Sequence, residues 1–395
     1  MRILGGLIVG TVLGLLCPSL GFIGIFGEIF VNSLKAIAPV LVALLVTGSI
    51  ATAKGGLGAR FNTVIILYLV STVLASLTAV AGSFLFPITL PLEGTYQGES
   101  AASSDDAFFS ILGKIVMNPV QSVATANYLG VLFWSILLGM AVKSVAGGKT
   151  TSVIKSLADA VTVIVKWIIE CAPFGIMGIA FTTVSENGMD IFVTYGKLVA
   201  LLAGCMLLSC FIINPAIVAV LTRRNPYPLV FRCLKTSGLN AFFTRSSAAN
   251  IPINMQLCRD LGLEEEFYSV SIPLGATVNM NGAAITINVM TLAMCHTLGV
   301  EVSVFSAIML CFLSTLSAAG TSGVAGGSIL LIPLACSFFG IGNDAAMQAV
   351  AVAFIIGVIQ DSMETALNSS SDVVFTAAAE YFDKDIRRRK KNQKI

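Results

Sequence analysis

Apolar residues dominate long stretches of this chain, and polar residues gather in short intervals between them. A helix needs about 20 predominantly apolar residues to cross the roughly 30 Å hydrocarbon layer of a bilayer. The pattern predicts spans near 3–20, 29–52, 62–87, 126–147, 154–180 and 191–221, then longer, interrupted ones near 267–297 and 344–375, about eight in all. Two further apolar segments, 228–256 and 302–340, are broken at their centres by small and polar residues. Their halves are too short to cross alone, so each is predicted to enter and leave on the same side as a re-entrant hairpin. Irregular backbone at membrane depth is tolerated only inside protein or along a cavity. Each hairpin is followed by a span, so the two halves resemble two copies of one architectural unit. The N-terminal apolar run is read as the first spanning helix, because no small-residue cleavage site precedes a polar region.

Charge supports this alternation. Arg2, Lys54, Arg60, Lys143, Lys149, Lys155, Arg223, Arg224, Arg232, Lys235 and the run Arg387–Lys391 fall on one side of the eight-span scheme. Glu93, Glu99, Asp105, Asp106, Glu186, Asp190 and Glu301 fall on the other. Basic loops stay in the cytoplasm, so both termini are predicted cytoplasmic, in the cell (inner) membrane. The basic tail then serves as an anchor at the lipid surface. The segment 92–106 reads as an extracellular loop. Only 11% of the 395 residues are charged, against 56% hydrophobic, with a mean hydropathy of +0.91. A water-soluble domain of this length needs far more surface charge, so lipid is the expected solvent. The net charge of +2 points to no nucleic-acid partner. Nine cysteines show no metal-ligand spacing and read as small buried hydrophobes. With His296 the sole histidine, no GxSxG elbow and no HExxH pair, an enzyme is not expected.

Candidate chemistry lies where polar residues interrupt the apolar runs. In the last span, Asp361, Thr365, Asn368 and Asp372 share one helical face, with Glu364 beside it. Carboxylates at membrane depth are costly and mark function. The apolar run from Val373 to Ala379 follows them and argues against a wet helix end. In the preceding span, Gly275, Asn279, Asn281 and Gly282 break the helix around Met280, freeing carbonyl oxygens of the kind that coordinate hard monovalent cations. The hairpin tips are Thr244–Asn250 and Ala318–Ser328. Small residues there let backbone approach a ligand, and half-helix N-termini suit a carboxylate. Helix packing by small residues explains either tip alone; two tips, a broken helix and an acidic stripe together point to binding.

These motifs resemble the dicarboxylate/amino acid:cation symporters: Ser246-Ser247-Ala248-Ala249-Asn250 after Thr244-Arg245, Asn279-Met280-x-Gly282, Gly320-Thr321-x-Gly323 and the Asp361…Asp372 stripe. The match covers nearly the whole chain and is nearest the bacterial serine/threonine:sodium branch. The resemblance implies an all-α multispanning protein of about eight transmembrane helices and two re-entrant hairpins, an inverted-repeat transporter of elevator type. It also implies a homotrimer in a lipid bilayer. Residues 1–60 would hold scaffold helices 1–2, 61–90 helix 3 of the transport domain, and 106–185 scaffold helices 4–5. Residues 190–395 would form the transport-domain core with both hairpins. The substrate, L-serine or L-threonine, would be bound by Asp361 at its ammonium, by Asn368 and the backbone of Ser246 and Ser247 at its carboxylate, and by Glu364, Thr365 and Gly323. One co-transported sodium would sit on Asp372 with Gly275, Asn279 and Asn368. A second would use Met280, Thr277, Ala318, Ala319 and Thr321. No organic cofactor is implied.

Three departures refine this. Acidic-substrate members carry an arginine where this chain has Glu364, and a glutamate repels a side-chain carboxylate. A neutral cargo follows, with Glu364 accepting from a substrate hydroxyl or pairing with Arg245. Asn281 stands where the sodium-coupled glutamate carriers have an aspartate, although Tyr68, Ser71 and Thr72 resemble the rest of that further ion site, so fewer coupled ions are expected. Ala283 replaces a threonine. The alternatives left open are another neutral amino acid, proton coupling, or an ion-conducting channel.

Overall fold

The computed structural model describes residues 2–52, 59–92, 116–145, 148–189, 191–319 and 326–392. Among them every regular element is helical. The chain runs through α1 (Arg2–Leu16), a 3-10 turn, α2 (Gly24–Thr52), α3 (Ala59–Leu85), the short α4 (Pro119–Ala124) and α5 (Tyr128–Val145). Next come α6 (Gly148–Glu170), α7 (Ala172–Asn187), α8 (Ile191–Leu208), α9 (Asn214–Thr222), α10 (Tyr227–Cys233), α11 (Leu239–Thr244) and α12 (Ser247–Asp260). The remainder is α13 (Glu265–Val278), α14 (Asn281–Thr297), α15 (Val304–Ala318), α16 (Ile332–Phe338) and α17 (Asn343–Asn392).

Five of the helical stretches among the described residues are long and apolar enough to cross a membrane: Gly21–Thr52, Arg60–Leu85, Ile191–Thr222, Glu265–Thr297 and Asn343–Lys384. The pair α6–α7, bent by 52° at Cys171, makes a sixth when taken as one span. Shorter apolar helices, Gly5–Leu16 and Gly130–Val145, lie where the remaining spans are expected. The expected span 154–180 is thus two helices. Pro173, near the start of α7, lacks the N–H that would continue α6.

Packing sorts the helices. α1 lies on α7, and α2 lies on α5, α6 and α7. α3, by contrast, packs on α14, α15 and α17, and α17 touches α8, α11, α12, α13, α14 and α16. The stretch Glu265–Thr297 is almost wholly enclosed, whereas Ile8, Val12, Ile29, Ile66, Val70, Ile212 and Val220 project outward from the peripheral helices. Outward apolar side chains of this density suit a lipid surface.

Proline and π-helical turns shape the interior. Pro215 supplies no N–H to the Phe211 carbonyl, and the Tyr227 hydroxyl donates to it instead at 3.2 Å. The π turn Ser209–Ile213 before it leads into α9, whose first side chain, Asn214, reaches the broken helix. A second π turn, Leu234–Gly238, carries the buried Ser237 into an asparagine network. There Asn250 donates to the Ser237 carbonyl at 3.2 Å and Ser369 Oγ at 2.8 Å, and Asn254 donates to the Ser369 carbonyl at 3.0 Å. At one end of the bundle Arg60 pairs with Glu264 and lies 3.6 Å from Asp383, with its guanidinium over the Phe267 ring. The Glu380 carboxylate there accepts from the Glu264 N–H at 3.0 Å, answering a donor at the start of α13.

Candidate functional site

The break between α13 and α14 is the centre of the site. Pro273, Gly275 and two asparagines are poor helix formers, and the backbone leaves helical geometry at Asn279 (φ −88°, ψ 79°) and Met280 (φ −116°, ψ 51°). Restarting a helix inside protein leaves N–H groups without partners. Asn368 of α17 answers one: its Oδ1 accepts from the Gly282 N–H at 2.7 Å. Its amide nitrogen lies 3.5 Å from the Met280 sulfur. Asn279 ties the break to α17 a second time, donating to Asp372 Oδ1 at 2.9 Å and to Ser371 Oγ at 2.7 Å; the Asn368 carbonyl lies 3.2 Å from the same nitrogen.

Two glycines are required by this approach. A Cβ at Gly275 would lie 2.6 Å from Asp372 Oδ1 and 2.9 Å from the Tyr68 hydroxyl. One at Gly282 would lie 2.8 Å from Glu364 Cα and 2.9 Å from its carbonyl oxygen. Real Cβ atoms do not come so close, so α13 and α14 pack on α17 only without a side chain at these points.

Asp372 is completely buried, and its Oδ2 has no hydrogen-bond partner among the described residues. A buried ionised carboxylate without a full set of partners is expensive, and a cation relieves it. Gly275, Asn279, Asn368 and Asp372 lie together at this break. Met280 is also buried against Asn368. Thr277 turns its hydroxyl to the Leu274 carbonyl at 2.9 Å, and Ala318 and Ala319 close α15. Thr321 and Gly323, both predicted contacts, lie outside the described residues, as does most of the predicted loop 92–106.

About three helical turns away along α17, roughly 16 Å at 1.5 Å per residue, lies Asp361. Its Oδ1 accepts from the Gly326 N–H at 3.2 Å, in the returning arm of the second hairpin. Its Oδ2 lies 3.8 Å from Arg245 Nε, from the tip of the first. That separation is an ion pair without a hydrogen bond, which leaves the carboxylate acceptor capacity. Arg245 takes a left-handed backbone (φ 51°), costly for a residue with a side chain. Ser246 follows as the cap of α12, its hydroxyl accepting from the Ala249 N–H at 3.2 Å, and Ser247 is buried behind it. Thr365, also buried, bonds the Asp361 carbonyl at 2.7 Å.

Glu364 corrects one sequence alternative. Arg245 pairs with Asp361; Glu364 is held by neutral donors, Thr286 Oγ1 and Ser328 Oγ at 2.8 Å each and Gln360 Nε2 at 2.5 Å. Ser328 ends the second predicted tip; Thr286 and Gln360 were not picked out for the site from sequence. Gln360 had a legible signal, one helical turn before Glu364 on the same face; Thr286 and Ser328 arrive from other elements. Asn281 is likewise engaged, 2.8 Å from Thr72 Oγ1, 3.1 Å from Ser71 Oγ and 3.3 Å from Asn214 Oδ1. Asn214 carries no sequence signal beyond its place before a proline.

The chain that carries these two carboxylates, the broken helix and Arg245 resembles known proteins along nearly its whole length. The chain is 53% identical over 382 residues to the serine/threonine transporter SstT of Bifidobacterium adolescentis, covering 96% of this chain and 89% of that protein. It is 52% identical over 381 residues to the serine/threonine transporter SstT of Streptococcus thermophilus, covering 96% and 94%. The profile of the sodium:dicarboxylate symporter family matches residues 1–382, and the chain belongs to that family.

Proposed function

We propose that this protein is a sodium-coupled symporter that imports serine or threonine across the cell membrane. The observation that carries the reading is Asp372: a wholly buried carboxylate with one oxygen unpartnered, set against a helix break that only glycine and asparagine permit. An uncompensated charge there calls for a small cation, and asparagine oxygen and freed carbonyls are the hard donors sodium takes. Asp361 is the corresponding anionic group for the substrate ammonium. Asn368 lies between the two aspartates along α17 and is tied to the break through the Gly282 N–H and the Met280 sulfur. Family membership and the relatives' names support amino-acid symport; the chain is a transporter, not an enzyme.

Cation and substrate share one rigid frame in this reading. Sodium on Asp372, with Gly275, Asn279 and Asn368, neutralises the carboxylate and holds the break in place. Asn368 then presents its amide to the substrate carboxylate beside the first tip at Ser246 and Ser247. A second sodium uses the Met280 thioether with Thr277, Ala318, Ala319 and Thr321, and Gly323 contacts substrate. The occupied polar set around Asn281 supports fewer coupled ions than in acidic-substrate relatives. The denser packing of α1, α2 and α5–α7 among themselves than on α3 and α8–α17 supports a scaffold and a moving unit of elevator type. Eight spans, two re-entrant hairpins, cytoplasmic termini and a homotrimer complete the proposal.

Uptake of radiolabelled serine into proteoliposomes, with and without an inward sodium gradient, is the test. Gradient-driven accumulation that threonine inhibits is expected. Equal uptake in both conditions overturns the proposal.

A further inference from the structure

Asn288 has no part in the site described above, yet it is an amide wholly buried near the middle of α14. A polar side chain at membrane depth is costly and calls for a physical reason. Its Nδ2 donates to the Ala284 carbonyl at 2.8 Å and to Ser314 Oγ of α15 at 2.9 Å. Ser314 gives its own hydrogen to the Cys311 carbonyl at 3.1 Å. Ser76 Oγ of α3 lies 3.2 Å from Ser314 Oγ, nearer than to Thr315 Oγ1 at 3.5 Å. A hydroxyl has one hydrogen and two lone pairs, so Ser314 accepts from both Asn288 and Ser76 and its capacity is filled. A single oxygen thereby ties α15 to α14 and α3. Asn288 Oδ1 has no partner among the described residues. An amide left half-satisfied stabilises less than an apolar side chain of the same size, and the surrounding contacts are apolar, with Ala284, Ile287, Leu310 and Cys311 in one buried cluster. Stability does not account for Asn288. Register does: a buried polar contact fixes how packed helices sit against each other at a cost in stability.

Ser314 lies one helical turn before Ala318, the last residue of α15. Ala318 is wholly buried, in the same apolar cluster as Met280. A helix C-terminus carries partial negative charge, which suits a cation. We propose, resting on the functional reading above, that Asn288 is a positioning residue for the second sodium: through Ser314, with Ser76 on the same oxygen, it sets the depth at which the last turn of α15 faces the Met280 thioether. Asn288 touches no ion itself. Sodium is held by several donors at once, so a small displacement of one wall weakens every bond which that wall makes. Groups that hold metal ligands in place commonly matter by about 10–100-fold in affinity. The individual oxygen bonds of a monovalent ion are weak, which puts the effect here at the lower end.

The experiment uses purified full-length protein in proteoliposomes, with serine uptake measured against sodium concentration. Asn288→Leu nearly keeps the volume and removes the amide. It should raise the sodium concentration for half-maximal uptake about ten-fold. It should also flatten the curve toward that of a single site, because one of the two sites then fills well after the other. Vmax at saturating sodium should stay close to wild type, and the melting temperature in sodium-free detergent should not fall. A merely structural role predicts the reverse, a lower melting temperature and a lower Vmax at an unmoved sodium midpoint. Ser314→Ala should raise the midpoint by a smaller factor, and adding it to Asn288→Leu should change little, since the two act through one bond. Should Asn288→Leu fail to insert, Ser314→Ala decides. An unchanged midpoint in Asn288→Leu, or in Ser314→Ala where it stands alone, overturns the inference. Wild-type protein whose serine uptake ignores sodium overturns the functional reading instead.

Discussion

Asp361 and Asp372 are of one residue type on one helix, and their surroundings separate their tasks. Among the described residues Asp372 has a single donor, Asn279, on one oxygen and nothing on the other; Asp361 has a backbone N–H and an arginine at ion-pair distance. The proposed function puts a cation on the first and the substrate ammonium on the second. Asp372→Asn is expected to raise the sodium concentration for half-maximal serine uptake at least ten-fold, since an amide offers no charge to a metal. Sodium titration of uptake checks this, and an unchanged midpoint removes Asp372 from the ion site. Asp361→Asn should abolish uptake to below a hundredth of wild type while sodium-dependent thermal stabilisation persists. Normal transport in that variant rules out the ammonium assignment.

The decisive element is the junction of α13 and α14. Neither half is a strong helix by itself, and the break persists because α17 supplies Asn368 and Asp372 as side-chain partners for its loose backbone and asparagine. Close approach is a condition of that exchange. Gly282→Ala places a methyl group 2.8 Å from the Glu364 backbone. Overpacking of this kind costs about 1–3 kcal/mol. A lower melting temperature in detergent and reduced serine uptake are the expected results, and wild-type behaviour in both would show that the helices part without consequence. The spacing of Asp361, Thr365, Asn368 and Asp372 made the face of α17 legible before any coordinates, because a helix brings residues three and four apart together. The acceptor cradle of Glu364 was not legible. Two of its three donors, Thr286 and Ser328, are distant in sequence, and serine or threonine in a membrane helix usually bonds its own backbone, as Thr365 and Ser370 do.

At the scale of the whole molecule, the bridge between Lys35 of α2 and Asp344 at the start of α17 joins the two packing groups. If one group slides past the other during transport, a covalent link there stops it. A short cleavable thiol–thiol cross-linker (one containing a disulfide) joining Lys35→Cys and Asp344→Cys, with the exposed Cys171 changed to serine, is expected to reduce serine uptake more than ten-fold. Reducing agent should restore it. Full activity in the cross-linked protein contradicts a sliding mechanism across this contact.

The amino-acid sequence alone determined that the chain lives in lipid, that two apolar segments break at their middles, and that acidic residues line one face of the last helix. These properties are local: hydropathy, helical period and the backbone preferences of glycine, proline and asparagine act over a few residues. The tertiary structure decided which polar groups meet. It brought Arg245 to Asp361 where sequence left Glu364 open as a partner, bent the span 154–180 into two helices, and gathered Thr286, Ser328 and Gln360 on one oxygen. Such choices depend on how close whole helices can lie, and that closeness is set by side chains from remote parts of the chain packing at near-crystalline density.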